Sequence, residues 1–383
     1  MANFDGPDGQ EDMPFLLTPG PLTTSRSVKM ALLADWGSRD IEFRQLVREI
    51  REELKRLAGC DQSYECVLMQ GSGTFAIEAA LGSLAPSRRK KTLVVANGAY
   101  GERAALILEK LGRPHLKISK PDTTQLSAEH IAATLDEDKS ISHVWLIHCE
   151  TTSGIVNPLS ELSEAVKSRG RIMMVDAMSS FGALDIDMAR DKIDVMVSSS
   201  NKCIEGIPGF SYVLVKKELL VASADQSHSV VLDIYEQWKG LEANGQFRFT
   251  PPTHAIVAFR QALRELVTEG GVAARCARYA RNSHVLVSGL KALGISPLLG
   301  ENAAGPIIQT FLAPRDPNFV FDVFYTALRA KGFAIYPGKL TKRDSFRIGT
   351  IGQLDDAVMT RVVAAIKEVL RDMDVRDFAP EEI

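Results

Sequence analysis

One lysine and one aspartate stand at the ends of two short apolar runs, and their chemistries are complementary. Lys202 follows VMVSS within Val195–Gly206, and Asp176 follows RIMMV within Arg171–Ser180. Two buried strands that bring an amine and a carboxylate to one sheet edge suit pyridoxal 5′-phosphate. Its aldehyde takes a lysine, and its pyridinium nitrogen takes an acid. In that setting Lys202 would carry the cofactor and then act as general base, its pKa drawn down by partial burial beside a cationic site. Asp176 would keep the ring nitrogen protonated and so make the ring an electron sink. Taken singly, Lys202 could be a surface lysine and Asp176 a helix N-cap. The pair at strand spacing favours the chemical reading.

Other segments also follow strands. QGSGT (Gln70–Thr74) opens a helix. Such a turn offers a phosphate free backbone N–H groups, a small residue for close approach, hydroxyls and the positive end of a helix dipole. It lacks the GK[ST] of a Walker motif and is not GxGxxG, so as a bare pattern it also reads as a tight strand–helix turn. Tyr100, in NGAYGE, offers a flat face to a pyridine ring, or a core or capping role. HCETTSG (His148–Gly154) supplies hydroxyls at Thr151 and Thr152 for a phenolic oxygen, with His148 as a packing residue at a strand end. Arg347, in SFRIGTIG, has the guanidinium fork that suits a carboxylate or phosphonate, although most arginines form surface pairs.

The elements that must position these residues are legible from about residue 65. CVLMQ, TLVVA and HVWLIH alternate with helical runs Gly73–Leu84, Gly101–Leu111 and Leu159–Arg169. RIMMV, DVMVS and FSYVLV follow, continuous apolar runs of the kind buried on both faces. Such alternation predicts an α/β fold with a mostly parallel sheet covered by helices, its ligand beyond the carboxyl ends of the strands. From about residue 252 a long helical stretch to Ala292, broken at Gly270–Gly271, gives way to shorter strands and helices, which predict a smaller α+β C-terminal domain. The division expected is an arm at 1–24, a large domain at 25–270 and a small domain at 271–383.

Bulk properties narrow the class. The 383 residues carry 45 basic and 48 acidic side chains, a net charge of −3, which argues against a nucleic-acid groove or an anionic membrane surface. The basic run Arg88–Lys91 reads as a solvated loop. Five cysteines without CxxC spacing fit a reducing compartment and argue against a zinc ribbon. The acidic, Gly-containing start is unlike a signal peptide, and no apolar run approaches the ~20 residues of a membrane span. A soluble, cytoplasmic chain is the expectation.

Beyond these readings, the chain resembles the alanine–glyoxylate (class V) branch of the fold-type I pyridoxal-phosphate aminotransferases, over nearly its whole length from about Leu16. The resemblance rests on LLTPGPLTTS (Leu16–Ser25), QGSGTFAIEA, NGAYGER, HCETTSGIVNP, VDAMSSFG, SSNKCIEGIPGFS, FRFTPPTH (Phe247–His254), GGVAAR, GFAIYPGK (Gly332–Lys339) and FRIGTIG (Phe346–Gly352). Within the branch the wording is similar to the phosphonate-using subfamily, which implies 2-aminoethylphosphonate as amino donor and pyruvate as acceptor.

The resemblance implies that Lys202 bears the cofactor, Asp176 pairs with its ring nitrogen, and Ser72, Gly73 and Thr74 bind its phosphate. It implies that Tyr100 stacks on the ring, Thr151 lies near the phenolic oxygen and Arg347 binds the substrate's anion. Thr250 would reach the phosphate in a neighbouring subunit, implying a homodimer with active sites at the subunit interface. Thr18–Pro21 would line the substrate entrance. Arg39, Arg248 and Lys339 are further candidates for the phosphonate. Related sequences vary across Asp35–Arg44, and Ser200 and Pro251 depart from the commoner alanine and serine. The competing readings are a serine or alanine–glyoxylate aminotransferase, a cysteine desulfurase needing a mobile thiolate, and a cofactor-sensing regulator needing a DNA-binding module.

Overall fold

Apolar runs without polar alternation have nowhere to go but the middle of a sheet covered on both sides, and the computed structural model, which describes residues 13–338 and 343–381, places them there. After β1 (Phe15–Leu16) come β2 (Tyr64–Gln70), β3 (Lys91–Ala96), β4 (His115–Ser119) and β5 (Ile141–Ile147). A small hairpin follows, β6 (Cys149–Glu150) with β7 (Ile155–Val156), and then β8 (Ile172–Asp176), β9 (Val195–Ser199) and β10 (Phe210–Lys216). Among the described residues, seven of these strands form one sheet in the order β2-β10-β9-β8-β5-β3-β4.

The direction of the strands decides where the site lies. β4, β3, β5, β8 and β9 are parallel, β10 runs antiparallel to β9, and β2 antiparallel to β10. Reversing twice, β2 points the same way as the parallel five. The carboxyl ends of β2, β3, β5, β8 and β9 therefore share one edge, and the segments singled out by their chemistry follow those ends. Lone β10 runs the other way, a feature its apolar composition does not announce.

Helices cover the sheet: α1 (Arg26–Met30), α2 (Ile41–Leu57), α3 (Gly73–Leu84), α4 (Ala99–Lys110), α5 (Ala128–Glu137), α6 (Leu159–Lys167), α7 (Lys217–Ala222), α8 (Ile234–Asn244) and α9 (Thr253–Glu269). α6 shows the local logic. Leu159, Leu162 and Val166 are buried at helical spacing, and the run stops before Gly170 at φ +65°. A core that includes Trp145, Tyr212 and Phe259 joins the sheet to its helices.

A second core lies in the C-terminal part, among α10 (Gly271–Ala292), β11 (Ile308–Leu312), α11 (Phe321–Ala330), β12 (Phe333–Ala334), β13 (Tyr336–Pro337), β14 (Ser345–Gly349) and α12 (Asp356–Asp372). β11, β14 and β13 make a small antiparallel sheet, and Leu286, Phe311, Phe346 and Ile366 pack in the core. Leu17, from the start of the chain, is buried in this second core, where β1 pairs parallel with β12. The break expected at Gly270–Gly271 is a change of helix, with both glycines at positive φ. No helix among the described residues is long and apolar enough to cross a membrane.

Candidate active site

At the end of β2 the chain turns through Gly71 at φ +96°, and Ser72 takes the N-cap position of α3 without spending its side chain on a capping bond. The first backbone N–H groups of α3, the Ser72 hydroxyl and Thr74 are thus arranged for an anion at a helix N-terminus. Ser211 on β10 fixes the turn from below, its hydroxyl donating to the carbonyls of Gly71 (3.3 Å) and Ser72 (3.2 Å). A Cβ at Gly73 would stand 2.3 Å from the flexible thioether end of Met178, two residues beyond Asp176, so this turn packs closely against the chain that follows the acid.

Asp176 closes β8 and is 2% exposed. Burial raises its carboxyl from the ordinary range to about 7, opposed by a hydrogen bond from the Met178 N–H (2.8 Å) to Oδ1. A buried acid with so little compensation is suited to a cationic partner such as a protonated pyridine nitrogen. Lys202 lies in a turn after β9 that is itself braced. The Ser200 hydroxyl donates to the carbonyls of Ile207 (2.6 Å) and Phe210 (2.9 Å), and the Glu205 N–H to the Lys202 carbonyl (2.7 Å). The Lys202 ammonium donates to the carbonyls of Pro19 (3.0 Å) and Gly20 (3.1 Å). Gly20 (φ +116°) permits this, because a Cβ there would sit 2.5 Å from the Asn201 carbonyl oxygen and 2.6 Å from the Lys202 side chain.

Tyr100 stands in the first turn of α4, after β3. Arg103, one turn on, lies 5.0 Å over the Tyr100 ring and donates to the Thr74 hydroxyl (3.3 Å), so one guanidinium joins Tyr100 to the turn at the start of α3. The loop after β6 holds Thr151, whose carbonyl accepts from Arg347 Nη1 at 2.7 Å. Arg347, on β14 of the small sheet, is 4% exposed, and its Nε donates to the Pro337 carbonyl (3.0 Å). Burial lowers its pKa, with no carboxylate paired to it among the described residues. A buried guanidinium of this kind suits an incoming anion.

The structure thus gathers Ser72, Gly73, Thr74, Tyr100, Thr151, Asp176 and Lys202 along one sheet edge, with Arg347 delivered from the small sheet. Thr250 is not among them within a single chain. It is exposed in the loop before α9 and shares a polar pocket with Ser38, Arg39 and Arg248. Lys339 lies outside the described residues. His148 packs as its sequence position suggests: burial lowers its pKa to about 4, and Nδ1 pairs with the Ser180 hydroxyl at 2.9 Å.

Three residues bonded to this part of the chain escaped the sequence reading: Arg103, Glu150 and Glu205. Glu150 carried the clearest signal, a carboxylate inside an otherwise uncharged strand-end segment. Glu205 has φ +65°, unusual for a residue with a side chain, and only the fold reveals it.

The residues present fit pyridoxal phosphate: an open helix N-terminus with hydroxyls, a buried acid with a raised pKa, and a lysine and an aromatic residue following strands that end at the same edge. The class-V aminotransferase profile matches residues 34–336. Over 368 residues the chain is 53% identical to the 2-aminoethylphosphonate–pyruvate transaminase of Rhizobium meliloti (strain 1021), covering 96% of each. It is 49% identical to 2-aminoethylphosphonate–pyruvate transaminase 1 of Paraburkholderia xenovorans (strain LB400), covering 96% of this chain and 94% of that one. In fold it is similar to the pyridoxamine–pyruvate aminotransferase of Mesorhizobium loti, with a TM-score of 0.86 at 23% identity over 96% of this chain and 95% of the other. The chain belongs to the class-V aminotransferases and is an enzyme that works with pyridoxal 5′-phosphate.

Proposed function

We propose that the enzyme moves the amino group of 2-aminoethylphosphonate to pyruvate, giving phosphonoacetaldehyde and L-alanine. The observation that carries this reading is end-to-end similarity to transaminases named for that pair. The buried Arg347 supports it as a receptor for an anionic substrate.

When bound, pyridoxal phosphate supplies an aldehyde that accepts the amino group and a ring that withdraws electrons from the carbon bearing it. The residues have separable tasks. Ser72, Gly73 and Thr74 would hold the phosphate, Tyr100 would stack on the ring and Thr151 would lie near the phenolic oxygen. Asp176 would keep a proton on the ring nitrogen. Lys202 Nζ would hold the cofactor's aldehyde at rest, and as a free amine it would be the base that takes the proton from the donor's amine-bearing carbon. The Pro19 and Gly20 carbonyls, now bonded to this amine, keep it close between those tasks. Arg347 anchors the phosphonate in one half-reaction and the pyruvate carboxylate in the other.

The same reading makes the enzyme a cytoplasmic homodimer in which Thr250 reaches the phosphate held by the neighbouring copy. It divides the chain into an arm (1–24), a large domain (25–270) and a small domain (271–383).

The test is a half-reaction followed by absorbance. The yellow holoenzyme is mixed with 2-aminoethylphosphonate, and separately with L-alanine, L-serine or L-cysteine, with no acceptor. Bleaching of the cofactor band by 2-aminoethylphosphonate and alanine, reversed by pyruvate, is the expected result. Silence toward the phosphonate with bleaching by serine would move the enzyme to a glyoxylate-type donor.

A further inference from the structure

Glu150 is fully buried, yet it has no arginine or lysine at ion-pair distance among the described residues. A carboxylate is costly to bury in this way unless hydrogen bonds replace its water; burial raises the pKa of Glu150, and four hydrogen bonds from Thr152, Tyr100 and Gly101 oppose that shift. Oε2 accepts the backbone N–H groups of Tyr100 (3.1 Å) and Gly101 (3.4 Å). Oε1 accepts the N–H (3.0 Å) and the hydroxyl (2.6 Å) of Thr152. The Thr152 oxygen in turn accepts the Ala99 N–H at 2.9 Å. The first turn of α4 is therefore pinned by Glu150, the last residue of β6, and by Thr152 in the loop that follows. The fit leaves no slack, because a Cβ at Gly98 would lie 2.4 Å from the Glu150 carboxyl carbon.

What this pin joins is specific. One side is the helical turn that bears Tyr100. The other is the loop that bears Thr151, whose carbonyl holds Arg347. A negative charge at a helix N-terminus is favoured by the helix dipole, which offsets part of the burial cost. Glutamine has the same shape but cannot do the same work. One end of its amide is an NH₂ group, which would face N–H donors and leave them without an acceptor.

We infer that Glu150 is a positioning residue, whose carboxylate sets the Tyr100 ring over the cofactor in register with Thr151 and the Arg347 anion site. It touches neither cofactor nor substrate. The role rests on the reading that Tyr100 stacks on the cofactor ring.

The test uses wild type and Glu150→Gln, each stripped of cofactor and titrated with pyridoxal 5′-phosphate. It reads the dissociation constant and the visible circular dichroism of the bound band, which reports how the ring is held. The expected result is binding weakened about tenfold, the order lost when buried donors lose their acceptor, with a diminished dichroic band. Equal affinity and an equal band would overturn the role. So would a lower unfolding midpoint of the apoprotein with an unchanged band, the signature of a residue that only stabilises the fold. Should Glu150→Gln fail to fold, Thr152→Val probes the same pin from its other partner, with a smaller shift in the same direction expected and no shift overturning the role. A wild type that takes up no cofactor would remove this role together with the reading beneath it.

Discussion

Asp176 shows what a single buried acid demands of its surroundings. Its native pKa is raised to about 7, against about 3.9 in an unfolded chain. Between those values the native state holds a proton that the unfolded state has lost. The group's contribution to stability is therefore fully present below the unfolded pKa and is lost as pH rises through about 7. An asparagine in its place would carry no such charge. The Asp176→Asn apoprotein is accordingly expected to gain in unfolding midpoint over wild type as pH climbs from 5 to 8, while holding pyridoxal phosphate more weakly. A midpoint difference that stays flat across that range would contradict this. Asp176 and Lys202 were legible because acid and amine followed unmistakable strands. Arg103 and Glu150 were not, because their value lies in partners contributed by other segments.

Among elements, the segment Leu17–Pro21 depends on the closeness of its neighbours. It crosses β14 at Gly349, where an added Cβ would stand 2.6 to 2.8 Å from backbone atoms of Thr18. Backbone cannot swing aside as a side-chain tip can, so Gly349→Ala is expected to lift the segment off β14 at a cost of about 1–3 kcal/mol. The lifted segment would also draw the Pro19 and Gly20 carbonyls away from Lys202. Limited proteolysis reads this directly, with faster cleavage near Pro19 in the variant and unchanged cleavage counting against it. Helix and strand content in the sheet domain was readable wherever apolar runs were long. α2, α5 and α8 went unread amid dense charge, as did β4, where only His115 and Ile118 are even partly shielded from solvent. The reversed direction of β10 is a matter of pairing, which composition does not encode.

At the scale of the whole molecule, a buried ionic cluster fastens the Lys202 turn to the C-terminal part. Glu205 accepts from Tyr279 (2.5 Å), Arg278 (2.8 Å) and Gln353 (2.6 Å), while Arg275 donates to the Cys203 carbonyl (2.7 Å) and to Glu269 (2.6 Å). Removing one member of such a cluster strands the others' charge. Arg275→Met is therefore expected to cost about 3–5 kcal/mol, read as a lower urea midpoint; a shift well below that would mean Arg278 alone compensates Glu205.

The pairing of Phe15 with Phe333 in β1 and β12 carries a consequence for biosynthesis. The ribosome makes the segment beside Lys202 well before it reaches Phe333, yet that segment has no strand to join until Phe333 has been translated. At about 5–20 residues per second, this leaves Phe15 and Leu16 without their partner for something like 15 to 60 seconds. During that interval the parallel sheet can form with its lysine turn uncovered, so the nascent enzyme passes through a stage in which the amine is chemically present but not yet housed.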